Sequence, residues 1–237
     1  MRFPFESPLE RKREIGRWSE RLLALLAVRL HLHGSSAGAR PLMLVANHVS
    51  WIDIFAINTV LPVRFVAKSE VRSWPLLGWL SERVGTVFIR RARRHDTGRV
   101  NTLVREGLTA GDVFAVFPEG TTTDGSAVLP FHASLLAPAL EARAAIQPIA
   151  IRYERPDGSL CTEAAYDGER SLWDSLVAIT GEGVTHVHLW FLAPVRVFER
   201  QRRHVASEAR EAIVATLSNA PRRNRIETAA DLPAAAH

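Results

Sequence analysis

A histidine followed five residues later by an aspartate, within Asn47-His48-Val49-Ser50-Trp51-Ile52-Asp53, is the pairing in this chain best suited to chemistry. If His48 sits in a loop just ahead of a helix, an Asp in the first helical turn can fold back onto one imidazole nitrogen. The other nitrogen then faces a substrate hydroxyl, which makes a base and its orienter. A structural account covers part of the segment. Ser50 can cap the helix, with Asp53 in the capping-box position. That account leaves His48 unexplained.

Two further segments carry polar chemistry. Phe117-Pro118-Glu119-Gly120-Thr121-Thr122-Thr123-Asp124-Gly125 has a glycine that allows close backbone approach, and hydroxyls and amides that can donate to phosphate. No lysine follows the glycine as in a Walker-type loop, and a plain polar turn would have the same composition. Gly85-Thr86-Val87-Phe88-Ile89-Arg90-Arg91 reads as a strand ending in two arginines, either a solvated surface or an anion site. His186 and His188 share one face of a strand, as two metal ligands would. No third ligand is evident in the sequence, and a structural role is the preferred reading. Cys161 lies in a polar stretch with no activating neighbour, and no Gly-x-Ser-x-Gly elbow is present.

Short apolar runs and helical patterns alternate around these segments. Strands are expected at Leu42–Ala46, Val63–Ala67, Thr86–Ile89, Val113–Phe117, Ile146–Tyr153, Thr185–Leu192 and Val195–Phe198. Helices are expected at Trp51–Val60, Trp74–Arg83, Asp96–Ala110, Ala133–Ala144, Ser171–Thr180 and Gln201–Leu217. This alternation predicts a single α/β domain with a mixed, largely parallel central sheet flanked by helices. His48 and the Phe117–Gly125 segment would both leave strands at their carboxyl ends, where open α/β sheets place their sites. An amphipathic helix is expected from Glu10 to His33, with Ile15, Trp18, Leu22, Leu25 and Leu26 on one face and arginines elsewhere. Such a helix either lies in a bilayer interface or packs its apolar stripe on the domain. The expected division is residues 1–33 as a membrane-associating helical segment, 34–220 as the domain, and 221–237 as a flexible tail.

The composition sets the outer bounds. At 237 residues, 47% hydrophobic and 23% charged, the chain suits one folded domain rather than a disordered or repetitive one. No run of some eighteen uncharged apolar residues marks a membrane-spanning helix. One cysteine excludes an intramolecular disulfide and any cysteine-cluster metal site. The net charge of +5 is almost wholly arginine, since Lys12 and Lys68 are the only lysines. Arginine forks grip phosphate, whether on lipid, nucleic acid or a small substrate.

The segments, in their order, resemble the glycerolipid acyltransferases typified by 1-acylglycerol-3-phosphate acyltransferases. Asn47, His48 and Asp53 match a first His-x-x-x-x-Asp block. Gly85, Phe88, Ile89 and Arg91 match a second, Phe117–Thr121 a third, and Pro148 within Ile146–Ile151 a fourth. Lys68-Ser69-Glu70, with Pro75 and Gly78, is similar to the segment between the first two blocks. The likeness covers roughly residues 40–155. It implies acyl transfer from a thioester, on coenzyme A or acyl carrier protein, to the hydroxyl of 1-acylglycerol-3-phosphate, giving phosphatidic acid in phospholipid biosynthesis. Lyso-ornithine lipid or a lysophospholipid is the alternative acceptor. On this resemblance His48 takes the hydroxyl proton and Asp53 orients it. Lys68, Arg91, Glu119, Gly120 and Thr121 hold the acceptor, with Glu119 either binding a glycerol hydroxyl or orienting an arginine. Neither a metal nor a bound cofactor is implied, nor a nucleic-acid partner. The expected place is the cytoplasmic face of the inner membrane, held peripherally or monotopically, with the site facing the cytoplasm. A metal-dependent phosphoesterase using His48, Asp53 and Glu119, and an arginine-rich binding module without turnover, are the readings from other classes.

Overall fold

The computed structural model describes residues 7–68, 78, 86–89, 94–166 and 171–220. Seven described strands form one sheet: β1 (Val28–His33), β2 (Leu42–Ala46), β3 (Arg64–Lys68), β4 (Val87–Ile89), β5 (Val113–Val116), β6 (Ala145–Glu154) and β7 (Thr185–Phe191). Their order across it is β1-β7-β6-β2-β5-β3-β4. The strands from β6 through β4 run parallel, while β7 is antiparallel to β6 and carries β1 parallel to itself. The mixed, largely parallel sheet read from the sequence is therefore the one found.

Every residue of β2 is buried, as a central strand covered on both faces requires. Its side chains alternate between two cores. Leu42, Leu44 and Ala46 face α1 (Pro8–Leu25), α2 (Asp53–Val60) and α5 (Leu172–Gly181), where they meet Leu23, Phe55 and Ile179. Met43 and Val45 face α3 (Arg94–Thr109), α4 (Ala137–Glu141) and α6 (Arg202–Asn219), where they meet Val104, Ala139 and Ala209. The result is a three-layer α/β/α arrangement.

The expected elements recur with three differences. The first concerns the N-terminal segment. Helix α1 begins with a capping box between Ser7 and Glu10 but stops at Leu25. Ala27, at φ +52, turns the chain, and Val28–His33 becomes an edge strand. The alternation in Val28-Arg29-Leu30-His31-Leu32-His33 has period two, not the helical 3.6. Leu23 and Leu26 are buried in the domain core and Trp18 packs on Phe55 at 5.9 Å, so most of the apolar stripe is covered. Leu25 is the exception, 80% exposed. Second, Val195–Phe198 is not a strand. Val195 makes one antiparallel bridge to Ile146, and a turn follows. Third, Ala133–Ala144 divides into a 3₁₀ turn, Ala133–Leu136, and the short α4, with Pro138 starting the latter. The helix expected at Trp74–Arg83 lies outside the described residues, except for Gly78, which is helical.

Among the described residues, no helix is long and apolar enough to cross a membrane.

Candidate active site

Strands β2 and β5 are parallel neighbours with Val45 opposite Val116. That register decides what meets beyond them, since His48 and Glu119 each lie three residues further on. Glu119 Oε1 accepts the His48 backbone N–H at 2.7 Å, and Oε2 accepts that of Leu129 at 2.6 Å. His48 returns the contact through its carbonyl, which accepts from Thr123 N at 2.9 Å. Its ring lies flat on Phe117, with centroids 4.0 Å apart.

Asp53 opens α2 and is fully buried. One oxygen, Oδ2, accepts three donors: His48 Nδ1 at 2.8 Å, Val49 N at 2.9 Å and Ser50 N at 3.0 Å. The other, Oδ1, accepts the Tyr153 hydroxyl at 2.7 Å. The capping box expected from Ser50 is not formed, since α2 takes Ile52 as its N-cap without a side-chain cap, while the Asp53 carboxylate does reach the imidazole. That carboxylate binds the Val49 and Ser50 amides of the preceding turn and the imidazole at once. Ser50 supplies no reciprocal side-chain cap to α2; its own carbonyl accepts from Asp53 N. Because a carboxylate only accepts, Nδ1 carries the proton and Nε2 is left as the basic nitrogen. His48 keeps 19% of its side chain exposed beside the buried Asp53.

The loop is fixed on its other sides too. Past the last β2–β6 backbone pair, the Asn47 side chain replaces the ladder. Its Nδ2 donates to Ile151 O at 2.9 Å, and its Oδ1 accepts from Ile151 N at 2.7 Å. Val49 O accepts from Tyr166 N, and Trp51 Nε1 donates to Ser175 Oγ of α5 at 3.0 Å. Thr122 Oγ1 donates to Tyr166 O.

Burial pushes the Glu119 carboxyl above its ordinary value, while the Leu129 and His48 amides pull the other way. Tyr153 is driven well above the usual phenol value, first by burial and then by the Asp53 charge, so its hydroxyl is the donor. Gly120 holds φ +74, a left-handed turn that brings Thr121 to the surface. Lys68 ends β3, whose parallel pairing with β5 puts its backbone at the same end of the sheet as His48. The Lys68 side chain and all of Arg91 lie outside the described residues. The sequence reading missed Tyr153. The available signal was a phenol at the end of an apolar alternation, Ile149-Ile151-Tyr153, on one face of a buried strand. A buried Tyr hydroxyl needs a partner.

The other candidates are placed elsewhere. Cys161 is buried, and burial raises its thiol above the ordinary value. Cys161, Glu163 and Glu182 bring ligand atoms within 4.8 Å of one another, but Arg155 already pairs with both carboxylates. His186 and His188 line up on β7 beside His31 and His33 of β1, forming a stack rather than the isolated pair seen in the sequence.

The acyltransferase family model matches residues 28–152, more than half of the chain. The chain belongs to the acyltransferase family. The matched span starts at β1 and ends on β6, so it contains His48, Asp53 and Glu119 and stops one residue short of Tyr153. A lyso-ornithine lipid O-acyltransferase of Pseudomonas aeruginosa is 40% identical over 83% of this chain and 75% of its own length. One from Brucella abortus is 36% identical over 88% and 80%. A 1-acyl-sn-glycerol-3-phosphate acyltransferase of Neisseria meningitidis is 38% identical over 67% and 63%. The crystal structure of the 1-acyl-sn-glycerophosphate acyltransferase PlsC from Thermotoga maritima has a similar fold. It superposes with a TM-score of 0.68 at 22% identity, over 93% of this chain and 86% of that one. This acyltransferase is thus an α/β enzyme with a His–Asp pair at the carboxyl end of its central strand.

Proposed function

We propose that the protein moves an acyl group from an acyl thioester to the free hydroxyl of a lysolipid. The observation that carries this reading is the His48–Asp53 pair, with Nδ1 bound to a buried carboxylate at 2.8 Å and Nε2 left as base. Nε2 takes the proton as the lysolipid oxygen attacks the thioester carbonyl. The tetrahedral intermediate collapses with loss of the C–S bond, and the imidazolium returns the proton to the leaving thiolate. Asp53 holds the tautomer and stabilises the imidazolium. The acceptor's polar head is assigned to Lys68, Arg91, Gly120 and Thr121. Glu119 acts on the same site through the His48 and Leu129 amides it binds.

Two acceptors suit this chemistry. Relatives named for lyso-ornithine lipid align over the larger share of the chain, which supports that lysolipid. The matched Phe117–Thr121 block, with its glycine turn and the Thr121 hydroxyl, suits the phosphate of 1-acylglycerol-3-phosphate equally well. The donor is an acyl thioester of coenzyme A or acyl carrier protein. We place the enzyme peripherally on the cytoplasmic face of the inner membrane. The exposed Lys12, Arg13, Arg17 and Arg21 of α1, with Leu25 beyond them, support this placement.

The test supplies each thioester with each lysolipid and identifies products by mass spectrometry. A diacylated product is expected, with its rate falling about 10²–10⁴-fold in His48→Ala. Failure of every pairing, or a folded His48→Ala variant at wild-type rate, would overturn the proposal.

A further inference from the structure

We propose that Tyr153 is a positioning residue of the catalytic pair, its hydroxyl locking Asp53 so that Oδ2 faces His48. This rests on the acyl-transfer reading. The carboxylate divides its partners unevenly. Oδ2 takes His48 Nδ1 and the amides of Val49 and Ser50, whereas Oδ1 accepts the Tyr153 hydroxyl alone among the described residues. Asp53 has no exposed surface, and Tyr153 is 1% exposed, so no water can replace that hydroxyl without rearrangement. Without it, the carboxylate could rotate about its Cβ–Cγ bond with only Oδ2 restrained.

Tyr153 comes from β6, two strands along from the β5 loop that carries Glu119. Asp53 is thereby held from its own helix, from the His48 loop and from the sheet. The ionisable groups facing the pair are His48 in its loop and Glu119 after β5, with Cys161 beside Tyr153. None of the other described groups offers Oδ1 a donor. Removing the hydroxyl concentrates negative charge on a buried carboxylate. Such a carboxylate binds a proton more readily, either on its own oxygen or on the imidazole beside it. Both effects move the acid limb of the pH–rate profile upward.

The experiment is Tyr153→Phe in the full chain, assayed for kcat, both KM values and kcat/KM against pH. We expect kcat to fall about tenfold to a hundredfold, as for loss of a hydrogen bond to a charged group. Both KM values should stay near wild type, and the acid limb should rise by about one pH unit. The downfield Nδ1–H proton of His48, read by NMR without substrate, should also shift. If Tyr153→Phe does not fold, 3-fluorotyrosine at 153 keeps the ring volume and strengthens the donor; the acid limb should then fall. Unchanged kcat, profile and imidazole proton would overturn the inference. A loss confined to KM, or a lower kcat with an unmoved profile and proton, would do the same. If wild type transfers no acyl group, the functional reading fails, while the imidazole proton still decides whether Tyr153 acts on the pair.

Discussion

Glu119 holds a carboxylate in a site 4% exposed, with one main-chain amide on each oxygen, and one of those amides belongs to the base itself. This geometry makes it a clasp between two loops. Glutamine would keep the shape but turn an NH₂ toward one of the amides, leaving a buried donor facing a donor. Glu119→Gln is therefore expected to lower kcat roughly 10–100-fold through displacement of His48, with little change in lysolipid KM. Initial rates with both substrates varied would check this, since a direct acceptor contact would put the loss in KM. Cys161 gives the opposite expectation. A buried thiol raised above its ordinary value is a poor nucleophile. Cys161→Ala should keep kcat, kinetics should be sequential, and intact mass should show no acyl adduct.

At the scale of elements, the loop depends on the neighbours of β2. Backbone pairing with β6 runs as far as Ala46 and Ile149, and the Asn47 side chain then satisfies both main-chain groups of Ile151. Asn47→Ala would leave a buried N–H and C=O without partners. A destabilisation on the order of 2–4 kcal/mol is expected, read as a lower denaturant midpoint. Helix α1 and β1 raise a different question. Deleting residues 1–33 removes an edge strand and the buried Leu23, Leu26 and Val28 along with any membrane contact. That truncation is expected to lose cooperative unfolding. Arg13→Glu with Arg21→Glu changes exposed residues alone. The pair should keep the circular dichroism spectrum while weakening co-sedimentation with anionic vesicles, most at low salt.

Across the whole molecule, the least expected packing is the imidazole stack where β1 joins β7. Leu30 pairs with Val187 and His31 with His188, so His31, His33, His186 and His188 share one face with Trp190. Ring centroids of His31 and His188 lie 4.6 Å apart, as do those of His33 and Trp190. Burial, followed by the like charges His31, His33, His186 and Arg152 would present, pushes His188 down to about 3. The unfolded imidazole takes a proton below its ordinary value of 6.5, and the folded one refuses it until about 3. Stability should therefore be full above that window and decline as pH falls through it, by at most about 1.4 kcal/mol per pH unit from this residue. Chemical denaturation between pH 7 and about 4 should show a flatter decline in His188→Gln than in wild type.

The local patterns of the chain determined a great deal. Short unbroken apolar runs marked β2 and β5, because a strand covered on both faces is apolar throughout, and helical periodicity marked α3 and α6. The five-residue spacing of His48 and Asp53 placed base and orienter within one loop and one helical turn, so no long-range contact was needed to see the pair. Residues 28–33 were harder, because a short alternating run after a helix becomes a strand only if another strand's edge is free to receive it, and β7 supplies that edge. The role of Glu119 and the presence of Tyr153 were likewise beyond local pattern. Seventy-one residues separate Glu119 from His48 and one hundred separate Tyr153 from Asp53. Only the register of parallel strands, set by the packing of both sheet faces, brings those groups within hydrogen-bonding reach.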